Sequence, residues 1–86
     1  MKTIFIVDDE PDIRRSLKTA LEADGYAVKE AADASAARGS LEKSLPDLIL
    51  LDIRLPGEDG FSFCRDLRSQ PRWKALPVIF LTSRGQ

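Results

Sequence analysis

The chain has 86 residues, which allows one domain, and 43% of them are hydrophobic, which is enough to form a core. A formal net charge of −1 with interspersed signs excludes the basic face of a nucleic-acid-binding protein, and no apolar run approaches the roughly 20 residues of a membrane helix. The single cysteine, Cys64, excludes an internal disulfide and fits a reducing, cytoplasmic compartment, while the lack of histidine excludes a phosphohistidine donor within the chain.

The first third of the chain predicts a strand, a helix and a second strand. Residues 3–7 are apolar almost throughout, which is typical of a strand covered on both faces. Pro11 suits the first turn of a helix, whose apolar stripe is predicted to be buried. That stripe consists of Ile13, Leu17, Ala20 and Leu21. Residues 26–31 alternate only partly and carry two charges, which favours a second strand near a sheet edge.

The middle of the chain predicts a second helix and a third strand. Asp33 is a suitable cap for a helix that runs to about Leu45, where Pro46 ends it. The predicted inward residues of this helix are Ala34, Ala37 and Leu41. Residues 47–52 form the clearest strand of the sequence, and residues 55–60 are rich in turn formers and predict a loop.

The last third predicts a third helix and a fourth strand. Asp59 is placed to cap a helix that ends near Ser69, before Pro71. Its apolar candidates are Phe61, Cys64 and Leu67, with Phe63 as a further candidate. A connector with the sole tryptophan, Trp73, expected to be partly buried, leads into a strand at residues 78–82. This alternation of strands and helices predicts an α/β domain with a parallel sheet.

Acidic and hydroxyl side chains follow three of the predicted strands. Asp8 and Asp9 follow the first strand, Asp52 ends the third, and Thr82 ends the fourth, beside Ser83. The carboxyl ends of parallel strands meet at one sheet edge, so these carboxylates would repel each other unless a cation or a phosphoryl group joined them. Mg²⁺ prefers such oxygen ligands, and a carboxylate can also act as a phosphoryl-accepting nucleophile.

Each of these residues also has an ordinary structural interpretation. Asp8 and Asp9 could be solvated or could cap the helix that opens at Pro11, and Asp52 could be a plain strand-end residue. Thr82 could be an ordinary strand residue, or its hydroxyl could donate a hydrogen bond to a phosphoryl oxygen. The shared position at strand ends favours the functional interpretation for all four.

Three ordered motifs give the sequence a clear resemblance. They are Ile6-Val7-Asp8-Asp9-Glu10, then Asp47–Asp52 leading into Leu55-Pro56-Gly57-Glu58-Asp59-Gly60, and finally Leu76–Ser83. With these motifs the chain resembles the receiver domain of bacterial two-component response regulators, from its first strand to its last residue. The resemblance implies a flavodoxin-like parallel sheet in the order 2-1-3-4, with helices on both faces, in one domain spanning residues 1–86.

The resemblance also implies a function and a set of site residues. Asp52 would accept a phosphoryl group from a phosphohistidine on a histidine kinase or a histidine phosphotransfer protein. Asp9, Asp52 and the main-chain carbonyl of Arg54 would hold Mg²⁺, with Asp8 acting through a bound water, and Thr82 would be the switch hydroxyl. Such a domain is not an enzyme, apart from its own phosphorylation and dephosphorylation.

The sequence departs from the family pattern in three places. Leu55 stands where the family usually has Met, and Ser83 stands where it usually has Ala. The family continues through a fourth helix, a fifth strand with an invariant lysine that contacts the phosphoryl group, and a fifth helix. We therefore expect a receiver domain truncated after its fourth strand, with slow or incomplete phosphorylation because that lysine is absent from these residues.

An open edge on the fourth strand predicts self-association. Residues 78–81 are apolar and carry no charge or proline that would protect an edge, so we expect a homodimer through this strand or through an exchange of C-terminal segments. Two alternatives belong to other classes. One is a degenerate, non-phosphorylated dimerisation or interaction module. The other is an aspartyl-nucleophile phosphatase of the haloacid-dehalogenase type, which is disfavoured because Asp8-Asp9-Glu10 lacks that class's D-x-D arrangement.

Overall fold

The computed structural model describes residues 1–81, and these residues form nine short elements. The elements are β1 (Thr3–Val7), α1 (Pro11–Ala23), β2 (Ala27–Ala31), α2 (Ala34–Lys43), β3 (Leu48–Asp52), β4 (Arg54–Leu55), β5 (Glu58–Asp59), α3 (Gly60–Arg68) and β6 (Val78–Leu81). Thr82, the predicted last residue of the fourth strand, lies outside the described residues. Within residues 1–81, no helix has both the length and the apolar character needed to span a membrane.

The main sheet has four parallel strands in the order β2-β1-β3-β6. Val7 lies opposite Ala31 on one side and Leu51 on the other, and Asp52 lies opposite Leu81. The predicted α/β class and the predicted order 2-1-3-4 are therefore confirmed. The order places β1 and β3 side by side in the centre, so their carboxyl ends lie next to each other.

The core lies between one face of this sheet and the helices α2 and α3. Alternate residues of a strand point to the same face, so Phe5 with Val7 and Ile49 with Leu51 supply the sheet side of the core. The helices supply Ala34, Ala37, Leu41, Phe63 and Leu67. The inward face predicted for α2 is thus confirmed. Trp73 is more deeply buried than expected, because it packs into the same cluster.

The prediction of a buried stripe on α1 was wrong. Residues 1–81 bury none of its side chains: Ile13, Leu17 and Leu21 are half-buried, and Ala20 is exposed. Helix α1 packs against β1 and β2, and none of its residues belongs to the core cluster. Ile79 of β6 is 53% exposed among the described residues.

The apolar residues of α3 also divide differently from the prediction. The helix begins at Gly60, and positions 60, 63 and 67 form its buried face. Phe63 is therefore the buried aromatic residue, while Phe61 is exposed and its ring lies 4.8 Å from that of Phe80 on β6. Cys64 is half-buried at the edge of the core, as expected for a packing residue.

We expect Gly39→Ala to stabilise the fold. Gly39 lies inside α2, and a Cβ at this position meets nothing within 4 Å, so alanine gains helix propensity without a clash. The free energy of unfolding should rise by about 0.5–1 kcal/mol, measured by urea denaturation. Gly57→Ala is the matched control, because that Cβ also meets nothing within 4 Å but φ is +76°. The control should lower stability, and a decrease for Gly39→Ala would contradict the argument.

Candidate acidic site

Three carboxylates meet at the carboxyl edge of the two central strands. Asp8 and Asp9 follow β1, and Asp52 is the last residue of β3. One carboxylate oxygen from each of the three lies within 4.8 Å of the others. Asp8 and Asp52 are only 1% and 0% exposed, whereas Asp9 is exposed. The structure therefore brings together the three acidic residues that the sequence analysis selected, with two of them at the buried end of the cluster.

Asp8 is tied to the connection between β1 and α1. Its Oδ1 accepts a hydrogen bond of 2.8 Å from the backbone N–H of Glu10, and its carbonyl oxygen accepts one of 2.6 Å from Arg14 Nη1. The Ncap position of α1 is occupied by Glu10, whose own side chain makes no capping hydrogen bond. The guanidinium of Arg14 places positive charge beside the backbone of the acidic cluster.

Asp52 is held by the segment that follows it. Its Oδ1 accepts a hydrogen bond of 3.1 Å from the backbone N–H of Arg54. The sequence predicted a turn-rich loop here, but the chain folds back as a two-stranded antiparallel hairpin, β4–β5, with Arg54 opposite Asp59 and Leu55 opposite Glu58. The side chain of Leu55 packs into the core. This hairpin sets the position of the Arg54 main chain directly beside the acidic cluster.

Gly60 allows the hairpin to close against the backbone of Asp52. Its N–H donates to the carbonyl oxygen of Ile53 at 2.5 Å, and a Cβ at this position would overlap the carbonyl oxygen of Asp52. Asp59, just before it, caps α3 by accepting a 2.7 Å hydrogen bond from the N–H of Ser62, as predicted. The sequence analysis did not assign Gly60 to the site. The only available signal was its place between the Asp59 cap and the apolar start of a helix.

Two predicted site residues remain: the structure describes Arg54 but not Thr82. Arg54 lies two residues beyond Asp52, on β4, as the spacing requires for a main-chain ligand at this edge. Thr82 lies outside the described residues. Its neighbour Leu81 is the register partner of Asp52, so the described part of β6 runs beside the end of β3.

The donor set fits a hard cation. Three carboxylates within 4.8 Å of one another supply oxygen ligands only, and the exposed Asp9 leaves the cluster accessible from outside. Mg²⁺ typically takes one or two carboxylates and keeps several waters, which matches a cluster that is buried on one side and open on the other. The site is therefore chemically suited to a divalent cation and to a phosphoryl group that shares it.

A parallel α/β domain with such an acidic cluster at its carboxyl edge belongs to a recognisable class. The sequence matches the family described as "Response regulator receiver domain" over residues 4–86. The chain therefore belongs to the receiver domains of two-component response regulators, and its resemblance to that family is confirmed.

Relatives and solved structures agree with this assignment. The KDP operon transcriptional regulatory protein KdpE of Escherichia coli is 50% identical over 88 residues, which cover all of this chain but 37% of KdpE. The N-terminal domain of a response regulator receiver protein from Methanoculleus marisnigri superposes with a TM-score of 0.93 at 32% identity, over 100% of this chain and 70% of that one. TrrA of Thermotoga maritima, solved in complex with Mg²⁺-BeF, gives a TM-score of 0.88 at 35% identity, over 99% and 72%. The chain thus spans little more than a third of the curated relative.

We expect Gly60→Ala to destabilise the protein, in contrast to Gly39→Ala. The new Cβ would overlap the Asp52 carbonyl oxygen and lie 2.9 Å from the Cα of Ile53, so the backbone itself must move. Overpacking of this kind typically costs about 1–3 kcal/mol. Urea denaturation of both variants measures the difference, and equal stability of Gly60→Ala and the unsubstituted protein would show that the hairpin closes without this close approach.

Proposed function

We propose that this receiver domain is a phosphoacceptor that takes a phosphoryl group on Asp52 with Mg²⁺ bound in the acidic cluster. The observation that carries the proposal is the convergence of Asp8, Asp9 and Asp52 within 4.8 Å at the end of the central strands. Like charges at this spacing favour the binding of a cation, which would in turn attract an anionic phosphoryl group. The family assignment supports the same function.

In the proposed transfer, a carboxylate oxygen of Asp52 attacks the phosphorus of a phosphohistidine on a partner. The O–P bond of an acyl phosphate forms while the N–P bond breaks, and the imidazole nitrogen keeps the electron pair of that bond. The hydrogen bond from the Arg54 N–H to Oδ1 restricts rotation of the Asp52 carboxylate and so holds the nucleophile in one orientation. The protein's contribution is thus mainly positioning, as is typical of phosphoryl transfer.

The metal ligands in this proposal are those that the family pattern assigns. Asp9, Asp52 and the main-chain carbonyl of Arg54 would hold Mg²⁺, and Asp8 would act through a bound water. When bound, Mg²⁺ supplies positive charge that offsets the charge on the phosphoryl oxygens. Thr82 is proposed as the switch hydroxyl that hydrogen-bonds to the phosphoryl group. TrrA was solved as a Mg²⁺-BeF complex, which supports the proposal of Mg²⁺ binding by similarity.

None of these 86 residues can donate the phosphoryl group as a phosphohistidine, because none of them is histidine. We propose a cytoplasmic histidine kinase or histidine phosphotransfer protein as the partner. We also propose that the domain catalyses nothing beyond its own phosphorylation and dephosphorylation. Adjacent aspartates in Asp8-Asp9-Glu10 lack the D-x-D spacing of aspartyl-nucleophile phosphatases, so that alternative has less support.

Incubation with acetyl phosphate and Mg²⁺, followed by intact-mass measurement, tests the proposed function. One phosphoryl group should be added, EDTA should prevent the addition, and Asp52→Ala should abolish it because the nucleophile is lost. Asp12→Asn is the control for a lost carboxylate, since Asp12 is exposed at the start of α1 and should leave the addition unchanged. An unmodified mass for the unsubstituted protein, or an equal adduct on Asp52→Ala, would exclude this function.

The outer edge of β6 supports a second role, in self-association. Within residues 1–81, β6 pairs only with β3, and its Ile79 is 53% exposed. A strand of four apolar residues with unpaired main-chain groups is a template for another strand. A second copy offers the same edge, and antiparallel pairing of the two would form one continuous sheet with two-fold symmetry. We propose this homodimer, with exchange of C-terminal segments as its alternative geometry.

We expect Ile79→Lys to weaken dimerisation, because a charge at the centre of the β6 edge opposes strand pairing. Leu45→Lys is the matched control, since Leu45 is 54% exposed in the connection between α2 and β3 and is not part of that edge. Sedimentation at micromolar concentration should show a dimer for the unsubstituted protein and the control, and a monomer for Ile79→Lys. A folded monomer in all three samples would refute the dimer.

A further inference from the structure

Arg38 joins helix α2 to the β4–β5 hairpin and to helix α3. From α2 its guanidinium forms a bidentate ion pair with Glu58 of β5, with Nη1–Oε1 and Nη2–Oε2 distances of 3.0 and 2.8 Å. Its Nε donates to Oδ2 of Asp66 on α3 at 3.0 Å, and its charged carbon lies 5.0 Å from the ring centre of Phe63. All three guanidinium nitrogens thus donate to the hairpin or to α3.

This arrangement is less solvated than an ordinary surface ion pair. The side chains of Arg38 and Glu58 are 33% and 27% exposed, so water screens their attraction only in part. The hydrogen bond to Glu58 raises the pKa of Arg38 above its already high usual value, so the guanidinium stays charged throughout the range in which the protein is folded. The two parallel hydrogen bonds also fix the orientation of the Glu58 carboxylate relative to Arg38, which a single lysine–carboxylate contact would not do.

The hairpin that Arg38 holds needs an external anchor. Each of its strands, β4 and β5, has two residues, and an isolated hairpin of that length is not stable in water. On β4, the side chain of Leu55 is fixed by the core. On β5, the side chain of Glu58, the register partner of Leu55, is fixed by Arg38. The other end of the same hairpin is Arg54, whose N–H donates to Asp52.

We propose that Arg38 is a positioning residue of the acidic site: it holds the β4–β5 hairpin so that the main chain of Arg54 stays directed at the metal and phosphoryl pocket. This inference rests on the proposed Mg²⁺-dependent function. Arg38 itself touches neither Asp52 nor its partners in the cluster through any described contact; it acts through Glu58 and the hairpin. Loss of a group bonded directly to a metal ligand typically weakens metal binding about tenfold or more, and the effect of Arg38, which acts through Glu58, should be at or below the lower end of that range.

A purely electrostatic role for Arg38 predicts the opposite sign. Removing the guanidinium without moving the hairpin would leave Glu58 and Asp66 uncompensated and make the region more negative. Mg²⁺ would then bind more tightly, and the effect would fade with added salt. Positioning instead predicts weaker binding with little dependence on salt. The direction of the change in Mg²⁺ affinity therefore separates the two roles.

The chain contains a matched control for this test. Arg72, which follows α3, forms a bidentate ion pair with Glu42 of α2, with distances of 2.7 and 2.6 Å, and lies 4.3 Å from the ring centre of Trp73. It has the same chemistry as the Arg38 network, but it holds no part of the hairpin. Its side chain is 54% exposed. Arg72→Met therefore removes an equivalent pair away from the hairpin.

The experiment compares Mg²⁺ affinity in Arg38→Met, Arg72→Met and the unsubstituted protein by titration followed with amide NMR. We expect binding to Arg38→Met to be about fivefold to tenfold weaker, and binding to Arg72→Met to change by less than about twofold. Hydrogen exchange at the amides of Arg54 and Gly60 should accelerate in Arg38→Met alone, because their protection depends on the closed hairpin. Urea denaturation of both variants identifies any general loss of stability.

Unchanged or tighter Mg²⁺ binding by Arg38→Met would overturn the positioning role, as would an equal loss in Arg72→Met. If Arg38→Met does not fold, Glu58→Gln tests the same contact, and unchanged exchange at the Arg54 amide in that variant overturns the proposal. Absence of Mg²⁺ binding by the unsubstituted protein would instead overturn the proposed function. The two failures are thus distinguishable.

Discussion

Repulsion between two buried carboxylates is the constraint around which the rest of the site is arranged. The register that places Val7 beside Leu51 also brings the following Asp8 close to Asp52. The strands cannot slip to relieve this repulsion, because a shift of one residue would turn Phe5 and its neighbours out of the core. Local donors offset part of this repulsion, such as the N–H groups that bond to each carboxylate. The oxygen donor set is suited to a cation that would offset more of it.

The parts of the domain contribute to the site in different ways. The apolar core fixes the register of β1 against β3, and therefore the separation of the carboxylates at their ends. The hairpin after β3 donates the Arg54 N–H to the Asp52 carboxylate. It is itself fixed at several points: Leu55 in the core, Gly60 against the β3 backbone, and Glu58 on Arg38. Helix α2 therefore contributes to the site without placing any residue in the acidic cluster.

Features that depend on neighbouring residues in the sequence were predicted correctly, whereas several features that depend on contacts between distant residues were not. Strand ends, and with them Asp8 and Asp52, were predictable because long apolar runs and an acidic residue at their end are local patterns. The burial of Phe63 rather than Phe61 was not predictable, because both residues are apolar. Which of them faces the core depends on where α3 begins, and it begins at Gly60. The hairpin has two-residue strands, which are too short to show a period. The network of Arg38 joins residues distant in sequence, so no local pattern indicates it.

The central position of β1 has a consequence for how the chain folds during synthesis. This strand emerges first, yet both of its partners come later: Ala27–Ala31 on one side and Leu48–Asp52 on the other. Its edge toward β3 must therefore remain unpaired until β3 has emerged, because every contact between these two strands is non-local. The acidic pocket, which needs both β1 and β3, can form only at that late stage. A nascent chain that stops before Leu48 would carry β1, the most deeply buried strand of the described sheet, with one of its two edges still unpaired.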